Sequence, residues 1–191
     1  WYAPYVSEVA RLGFMSGYKD GAGMPLGIFK PENNLSLAEL AKITHVLAGI
    51  DENKSTGRLL NRSAQDEWFK QVARSAEELG WVLFLDASVD LNRPATRGEV
   101  MLTFLQALNI PLEWARGDVF SDVSLRTPHA SAIETAAHEG FVSGTTVEGA
   151  KPLFNPEKPV NRAEMAKIIT TMIKKLHGSE ATSAPSARGR F

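Results

Sequence analysis

Two arginines lie where their chemistry could bind an anion. Arg97 and Arg162 each follow a capping residue directly, Thr96 and Asn161, and each begins a predicted helix. A helix start carries free N–H groups and the positive end of the helix dipole. A guanidinium at this position adds a planar fork of donors that matches a carboxylate. The sequence therefore predicts compact anion sites that need no net basic charge.

The same kind of helix start occurs three times in the chain. A capping residue is followed three positions later by Glu in three places: Ser36 and Glu39, Thr96 and Glu99, Asn161 and Glu164. The copies are 60 and 65 residues apart, which indicates an array of one supersecondary unit. We interpret the three glutamates as reciprocal helix caps and not as acid–base catalysts.

Turn signals and apolar spacing divide the chain into units of similar order. We expect a first repeat over 1–50, a linker over 51–66, a second repeat over 67–110, a third over 111–177, and a disordered Ser-, Ala- and Pro-rich tail over 178–191. The chain opens on Trp1, inside a repeat, so we expect a mature or trimmed segment.

Each predicted helix pair has one apolar stripe that it cannot bury alone. We therefore predict an all-α fold of three helix-loop-helix repeats, in which the three capped helices pack around one pseudo-threefold axis. Neighbouring repeats would then form grooves between them.

Composition excludes several classes of function. The 191 residues carry a net charge of −1 and no cysteine, so neither nucleic-acid binding through bulk charge nor a cysteine metal site is expected. The four histidines lack metal-ligand spacing, no apolar run is long enough to span a bilayer, and no nucleophile or phosphate-loop motif is present. We expect no enzyme activity, metal or cofactor.

Several of these motifs together resemble the S-layer homology domain family, over residues 1–176. The segment 13–21 reads Gly-Phe-Met-Ser-Gly-Tyr-Lys-Asp-Gly, and 29–33 reads Phe-Lys-Pro-Glu-Asn. The third unit has Phe-Ser-Asp-Val at 120–123 and Asn-Arg-Ala-Glu at 161–164, where the family usually has Thr-Arg-Ala-Glu. The resemblance implies a pseudo-threefold helical spindle that anchors proteins non-covalently to the bacterial cell wall or S-layer. Its ligand would be an anionic secondary cell-wall polysaccharide, in part of the family pyruvylated, bound by the motif arginine in a groove.

The predicted ligand-binding residues lie at the helix starts and in the Gly-rich loops: Arg162, Arg97, Gly144, Gly17, Tyr18, Asn161 and Thr96. The glycines allow a sugar to approach the backbone, and Tyr18 or Trp68 offers a face to a pyranose ring. We predict one good site centred on Arg162, with a second around Arg97. On this basis Arg162→Ala would weaken binding with little effect on folding.

The first repeat has Leu37 where the arginine is expected. We expect that groove to have lost its anion site or to take a cation from Lys30 or Arg11. The four tryptophans are expected to serve core or inter-repeat packing: Trp1, Trp68, Trp81 and Trp114.

Two other functions remain open. The apolar loop over 81–85 and Leu37 favour a structural protein that assembles with other surface-layer chains without binding sugar. The chain could also be the anchor of a surface enzyme whose catalytic domain lies outside this sequence.

Overall fold

The structure is a computed structural model that describes the backbone of residues 1–182 and the side chains of residues 1–177. The six helices are α1 (Ala3–Arg11), α2 (Leu37–Ala48), α3 (Lys70–Glu78), α4 (Arg97–Ala107), α5 (Ala130–His138) and α6 (Arg162–Thr182). The two strands are β1 (Thr145–Val147) and β2 (Ala150–Leu153). Three short 3₁₀ turns cover Glu52–Lys54, Arg62–Ala64 and Val82–Phe84. The predicted tail lies outside the described residues except for the end of α6.

The starts of α2, α4 and α6 are tied by a closed ring of three backbone hydrogen bonds. The N–H of Leu35 donates to the carbonyl of Val160 at 2.9 Å, that of Val160 to Ala95 at 3.0 Å, and that of Ala95 to Leu35 at 2.8 Å. All three residues are fully buried. The ring brings together segments that are far apart in the sequence, so it fixes the three helix starts at one place.

The main helix contacts join different units. The first helix of each pair packs on the second helix of the preceding pair: α1 on α6, α3 on α2 and α5 on α4. Of the three capped helices, α2 packs on α4. Because the helices pack in this cyclic order, residues of one helix pair lie beside the loops of another.

The prediction of an all-α pseudo-threefold spindle is wrong. Residues 145–153 form a two-stranded antiparallel sheet, in which Thr145 pairs with Leu153 and Val147 with Ala150. The β-branched Thr-Thr-Val run favours a strand, and Gly149 at φ 69° closes the turn. Among the described residues, α6 makes its main helix contacts with α1, and the contacts show no central bundle of three equivalent helices. The fold is mostly helical with a small sheet.

The core explains why Leu37 replaces an arginine. Leu37 is fully buried in the same cluster as Leu35, Leu91 and Phe84. A buried guanidinium at this place would need hydrogen-bond partners, as Arg162 has, whereas a leucine needs none. The position therefore contributes to packing in the first repeat.

Candidate functional site

Arg97 is held firmly at the start of α4 but retains unused donors. Its Nε donates to the carbonyl of Phe154 at 2.9 Å, and its guanidinium lies 4.9 Å from the centre of the Phe154 ring. Within the part of the chain whose side chains are described, Nη1 and Nη2 have no hydrogen-bond partner. A guanidinium oriented on one edge and open on the other is suited to bind a planar anion.

Arg97 lines a cavity of about 340 Å³. The loop over 140–145 forms one wall, and a face of α6 forms another, with Glu164, Lys167, Ile168 and Thr171. Trp1, Asn155 and Lys158 complete the lining. The cavity thus draws on all three helix pairs, because Trp1 precedes α1 and Arg97 begins α4.

Cations outnumber acids around this cavity. The lining contains three cations, Arg97, Lys158 and Lys167, and one acid, Glu164. Lys158 Nζ donates to Glu164 Oε1 at 2.7 Å. Burial lowers the pKa of Arg97, while Glu164 and Asp122 act in the opposite direction. An arginine remains charged despite such a shift. A partly desolvated cation therefore faces the cavity, where an anion would be attracted more strongly than in bulk water.

The amide groups of the helix starts do not contribute the free donors that were expected. The N–H of Arg97 donates to Lys158 O at 3.0 Å, and the N–H of Gly98 to Pro156 O at 2.9 Å. The same arrangement recurs at α6, where Arg162 N–H donates to Asn33 O at 2.9 Å. Anion binding at these helix starts must therefore rely on side chains and on the helix dipole.

The three glutamates and their capping residues satisfy further backbone N–H groups at the helix starts. Ser36 with Glu39 and Thr96 with Glu99 form reciprocal capping boxes. Asn161 Oδ1 accepts from Glu164 N–H at 2.8 Å, and Glu164 Oε2 accepts from Asn161 N–H at 3.2 Å.

Glu99 differs from the other two glutamates because it is buried and paired with Arg93. Burial alone would raise the pKa of Glu99, but hydrogen bonds from Arg93 and from the Thr96 backbone lower it on balance. Thr96 and Asn161 thus serve as helix caps in this structure, and neither lines the cavity.

Arg162 lies in a different environment from Arg97 and is only 6% exposed. Its Nε donates to Phe29 O at 2.9 Å, its Nη2 to Ser16 O at 2.6 Å, and its Nη1 lies 3.5 Å from Glu39 Oε1. Its guanidinium also lies 5.0 Å from the centre of the Tyr18 ring. All three nitrogens are engaged with residues of the first helix pair, and Arg162 does not line the cavity.

One difference in sequence accounts for the different roles of Glu39 and Glu164 beside the two arginines. Lys158 and Asn33 occupy equivalent places, three residues before the caps Asn161 and Ser36. Lys158 binds the carboxylate of Glu164, whereas neutral Asn33 donates its side-chain amide to Tyr18 Oη at 3.3 Å. Glu39 is therefore available to Arg162, while Glu164 is not available to Arg97.

Gly17 and Tyr18 belong to the surroundings of Arg162. A Cβ on Gly17 would lie 2.9 Å from Ile28 O, so glycine is required by a close backbone approach. Tyr18 is half-buried, with Lys30 Nζ 4.8 Å from its ring centre. Arg11, the other cation expected to serve this groove, pairs with Glu8 on the surface of α1. The structure thus groups Gly17, Tyr18 and Arg162 together, away from the cavity.

Gly144 is the predicted loop residue that does line the cavity. Its φ is 71°, and a Cβ would lie 2.8 Å from both Leu153 O and Phe120 Cε1. The loop can pass this close to β2 and Phe120 because residue 144 has no side chain. Gly144 therefore shapes the wall opposite α6.

We expect Gly144→Ala to destabilise the protein by about 2–3 kcal/mol, because a left-handed backbone and a steric clash both oppose a methyl group. Gly149→Ala is the matched control: its φ is 69°, but a Cβ there meets no atom within 4 Å. The control should lose about 1 kcal/mol, the cost of the backbone conformation alone. Urea denaturation of both variants measures the difference, and equal losses would show that the close approach is unimportant.

Sequence reasoning did not assign most of the residues of this cavity to ligand binding. Lys167, like Ile168 and Thr171, follows Glu164 at helical spacing, and this spacing could have revealed the shared face of α6. Lys158 precedes its cap in a loop, so no periodicity marks it. Trp1 reaches the cavity only because α1 packs on α6.

The tryptophans were expected to serve core or inter-repeat packing; Trp81 is buried in the core, whereas the three others lie outside it. Trp1, Trp68 and Trp114 are 69%, 63% and 94% exposed.

Among the described residues, no group of three or more His, Cys, Asp or Glu side chains could hold a metal ion. Within the same residues, each helix is too short or too polar to cross a membrane.

The fold and the cavity define a helical repeat protein with a candidate anion site between its helix pairs. Residues 1–41 and 119–166 match the model of the S-layer homology domain. These ranges include α1, α5, the sheet and the starts of α2 and α6. They leave out 42–118, which contains the most divergent unit. Over these two ranges the match confirms the resemblance to the S-layer homology domain that the motifs indicated.

The chain is also similar to a curated protein with an anchoring role in its name. The chain is 29% identical over 178 residues to a cellulosome-anchoring protein of Acetivibrio thermocellus. The match covers 85% of this chain but 38% of that protein. The chain thus spans well under half the length of the relative.

Proposed function

We propose that this chain is a non-catalytic anchoring module that binds an anionic polysaccharide of a bacterial cell wall, outside the cell. The single observation that carries the proposal is Arg97: Phe154 orients its guanidinium, its Nη donors are not used by the described residues, and it lines a cavity with excess positive charge. The match to S-layer homology domains and to a cellulosome-anchoring protein supports the same role.

The ligand chemistry follows from the lining. The open edge of Arg97 suits a carboxylate, such as that of a pyruvate ketal on an amino sugar. Ser143, Thr145 and Asn155 offer hydrogen-bonding groups suited to sugar hydroxyls, and Ile168 offers an apolar surface. We place the primary site at Arg97 and not at Arg162, because the donors of Arg162 are already used within the protein.

Binding to isolated cell-wall sacculi tests the proposal. The chain should sediment with sacculi that retain a pyruvylated polymer, and not with sacculi from which hydrofluoric acid has removed the secondary polymers. Mild acid, which releases ketal-linked pyruvate and leaves the polymer attached, should abolish most of the binding. Equal sedimentation with intact and polymer-free sacculi would overturn the proposal, whereas binding that survives mild acid would overturn only the assignment to pyruvate.

Assembly through protein contacts is the competing function. Val82 and Leu85 of the loop over 81–85 are exposed, but Trp81 and Phe84 are buried. The apolar surface of this loop is thus smaller than its sequence suggests, which weakens the case for assembly. Light scattering that finds a monomer in the absence of polymer would favour polysaccharide binding.

A further inference from the structure

Trp1 is an exposed aromatic residue on the wall of a cationic cavity. It lies on the surface, yet it lines the same cavity as Arg97. Tyr2 and Tyr5 pack against its indole ring, with ring centres 5.7 Å and 6.5 Å away. These contacts give the ring a defined orientation without burying it.

The other residues that line the cavity complement the indole of Trp1. Arg97 and Lys167 supply positive charge, and the loop over 140–145 supplies polar groups. An indole adds a broad apolar face, on which the C–H face of a pyranose ring can pack. Trp68, the corresponding residue before α3, is similarly exposed but does not line this cavity. The difference arises because α1 packs on α6, whereas α3 packs on α2.

We propose that the indole of Trp1 stacks on the pyranose ring whose acidic group Arg97 binds, so that the first helix pair completes a site built mainly by the third. This inference rests on the proposed function. It makes Trp1 a binding residue and gives the ligand two recognised parts, an acidic group and the apolar face of the ring that carries it.

Calorimetric titration with an N-acetylhexosamine methyl glycoside carrying a pyruvate ketal tests the proposal. Trp1→Ala should weaken binding about tenfold, because an aromatic contact and its buried apolar area are lost. Trp1→Phe keeps an aromatic face and should stay within about threefold of the parent. The matched control Trp68→Ala removes an equally exposed indole outside the cavity and should leave affinity unchanged. Thermal unfolding of each variant checks that folding is retained.

Fluorescence supplies a second readout that a structural role would not change. In Trp68→Phe, which retains Trp1, the glycoside should reduce quenching of tryptophan emission by acrylamide. In Trp1→Phe this protection should disappear although the glycoside still binds.

The possible failures can be told apart. Unchanged affinity of Trp1→Ala, or protection that persists in Trp1→Phe, overturns the stacking inference and leaves the proposed function standing. If the parent chain fails to bind both the glycoside and intact sacculi, the proposed function falls and the inference with it.

Discussion

Arg97→Ala is expected to weaken binding to pyruvylated sacculi by at least about 30-fold, because truncating one member of a desolvated ion pair costs 2 kcal/mol or more. Stability should fall by only about 1 kcal/mol, since the side chain makes one hydrogen bond and one contact with an aromatic ring. Sedimentation with sacculi at a series of protein concentrations measures the first effect, and urea denaturation measures the second.

Two further variants sharpen this prediction. Arg97→Lys retains the charge but loses the bidentate fork, so binding should fall by about tenfold. Arg126→Ala removes an exposed arginine that does not line the cavity, and it should bind like the parent. If Arg97→Ala binds pyruvylated sacculi as well as Arg126→Ala does, Arg97 is not the anion-binding residue.

Arg162→Ala is expected to destabilise the fold by about 3 kcal/mol, because a buried guanidinium that satisfies several acceptors is removed. The carbonyls of Ser16 and Phe29 would lose their donors, and Glu39 would lose a nearby positive charge. For a chain of this size the loss corresponds to a decrease of about 6–12 °C in Tm. Calorimetry of Arg162→Ala beside Arg97→Ala measures the contrast.

This expectation replaces the one drawn from sequence, in which Arg162→Ala affects binding and not folding. Arg162→Lys is a useful companion, because it keeps a cation near Glu39 but cannot reach both carbonyls in the same way. If Arg162→Ala unfolds at the same temperature as the parent but no longer binds sacculi, Arg162 is the ligand-binding arginine after all.

Local features of this fold could be predicted because their causes are local. Each capped helix begins where a Ser, Thr or Asn side chain and a Glu three residues later satisfy each other's backbone donors. Glycines such as Gly13 and Gly140 follow the first helices with positive φ, as their places in the repeat indicate. These features need no knowledge of distant parts of the chain.

The contrast between Arg97 and Arg162 could not be predicted in this way. Both occupy the first position of a capped helix, and both donate Nε to a phenylalanine carbonyl. Their remaining donors differ because each meets a loop more than 40 residues away, near Gly144 for Arg97 and at Ser16 for Arg162. The type of residue was informative, but its partners depended on which helix pairs meet.

The hairpin over 145–153 was missed for another reason. Its strands have three and four residues, and their lengths and exposed polar side chains resemble those of a loop. In the first unit the corresponding loop has only an isolated bridge between Lys19 and Pro25. Glu148-Gly149 is not one of the dipeptides that mark a hairpin turn clearly in sequence, so no local signal indicated the two strands.

The ring of Leu35, Ala95 and Val160 has a consequence for how the protein matures. Its three bonds join residues separated by 60, 65 and 125 positions, so it cannot close until Val160 has been synthesised. Such long-range closure is a slow step in folding. A nascent or proteolysed chain that ends before this residue leaves Leu35 N–H and Ala95 O without their partners. The last unit must therefore be complete before the starts of α2, α4 and α6 can be joined to one another.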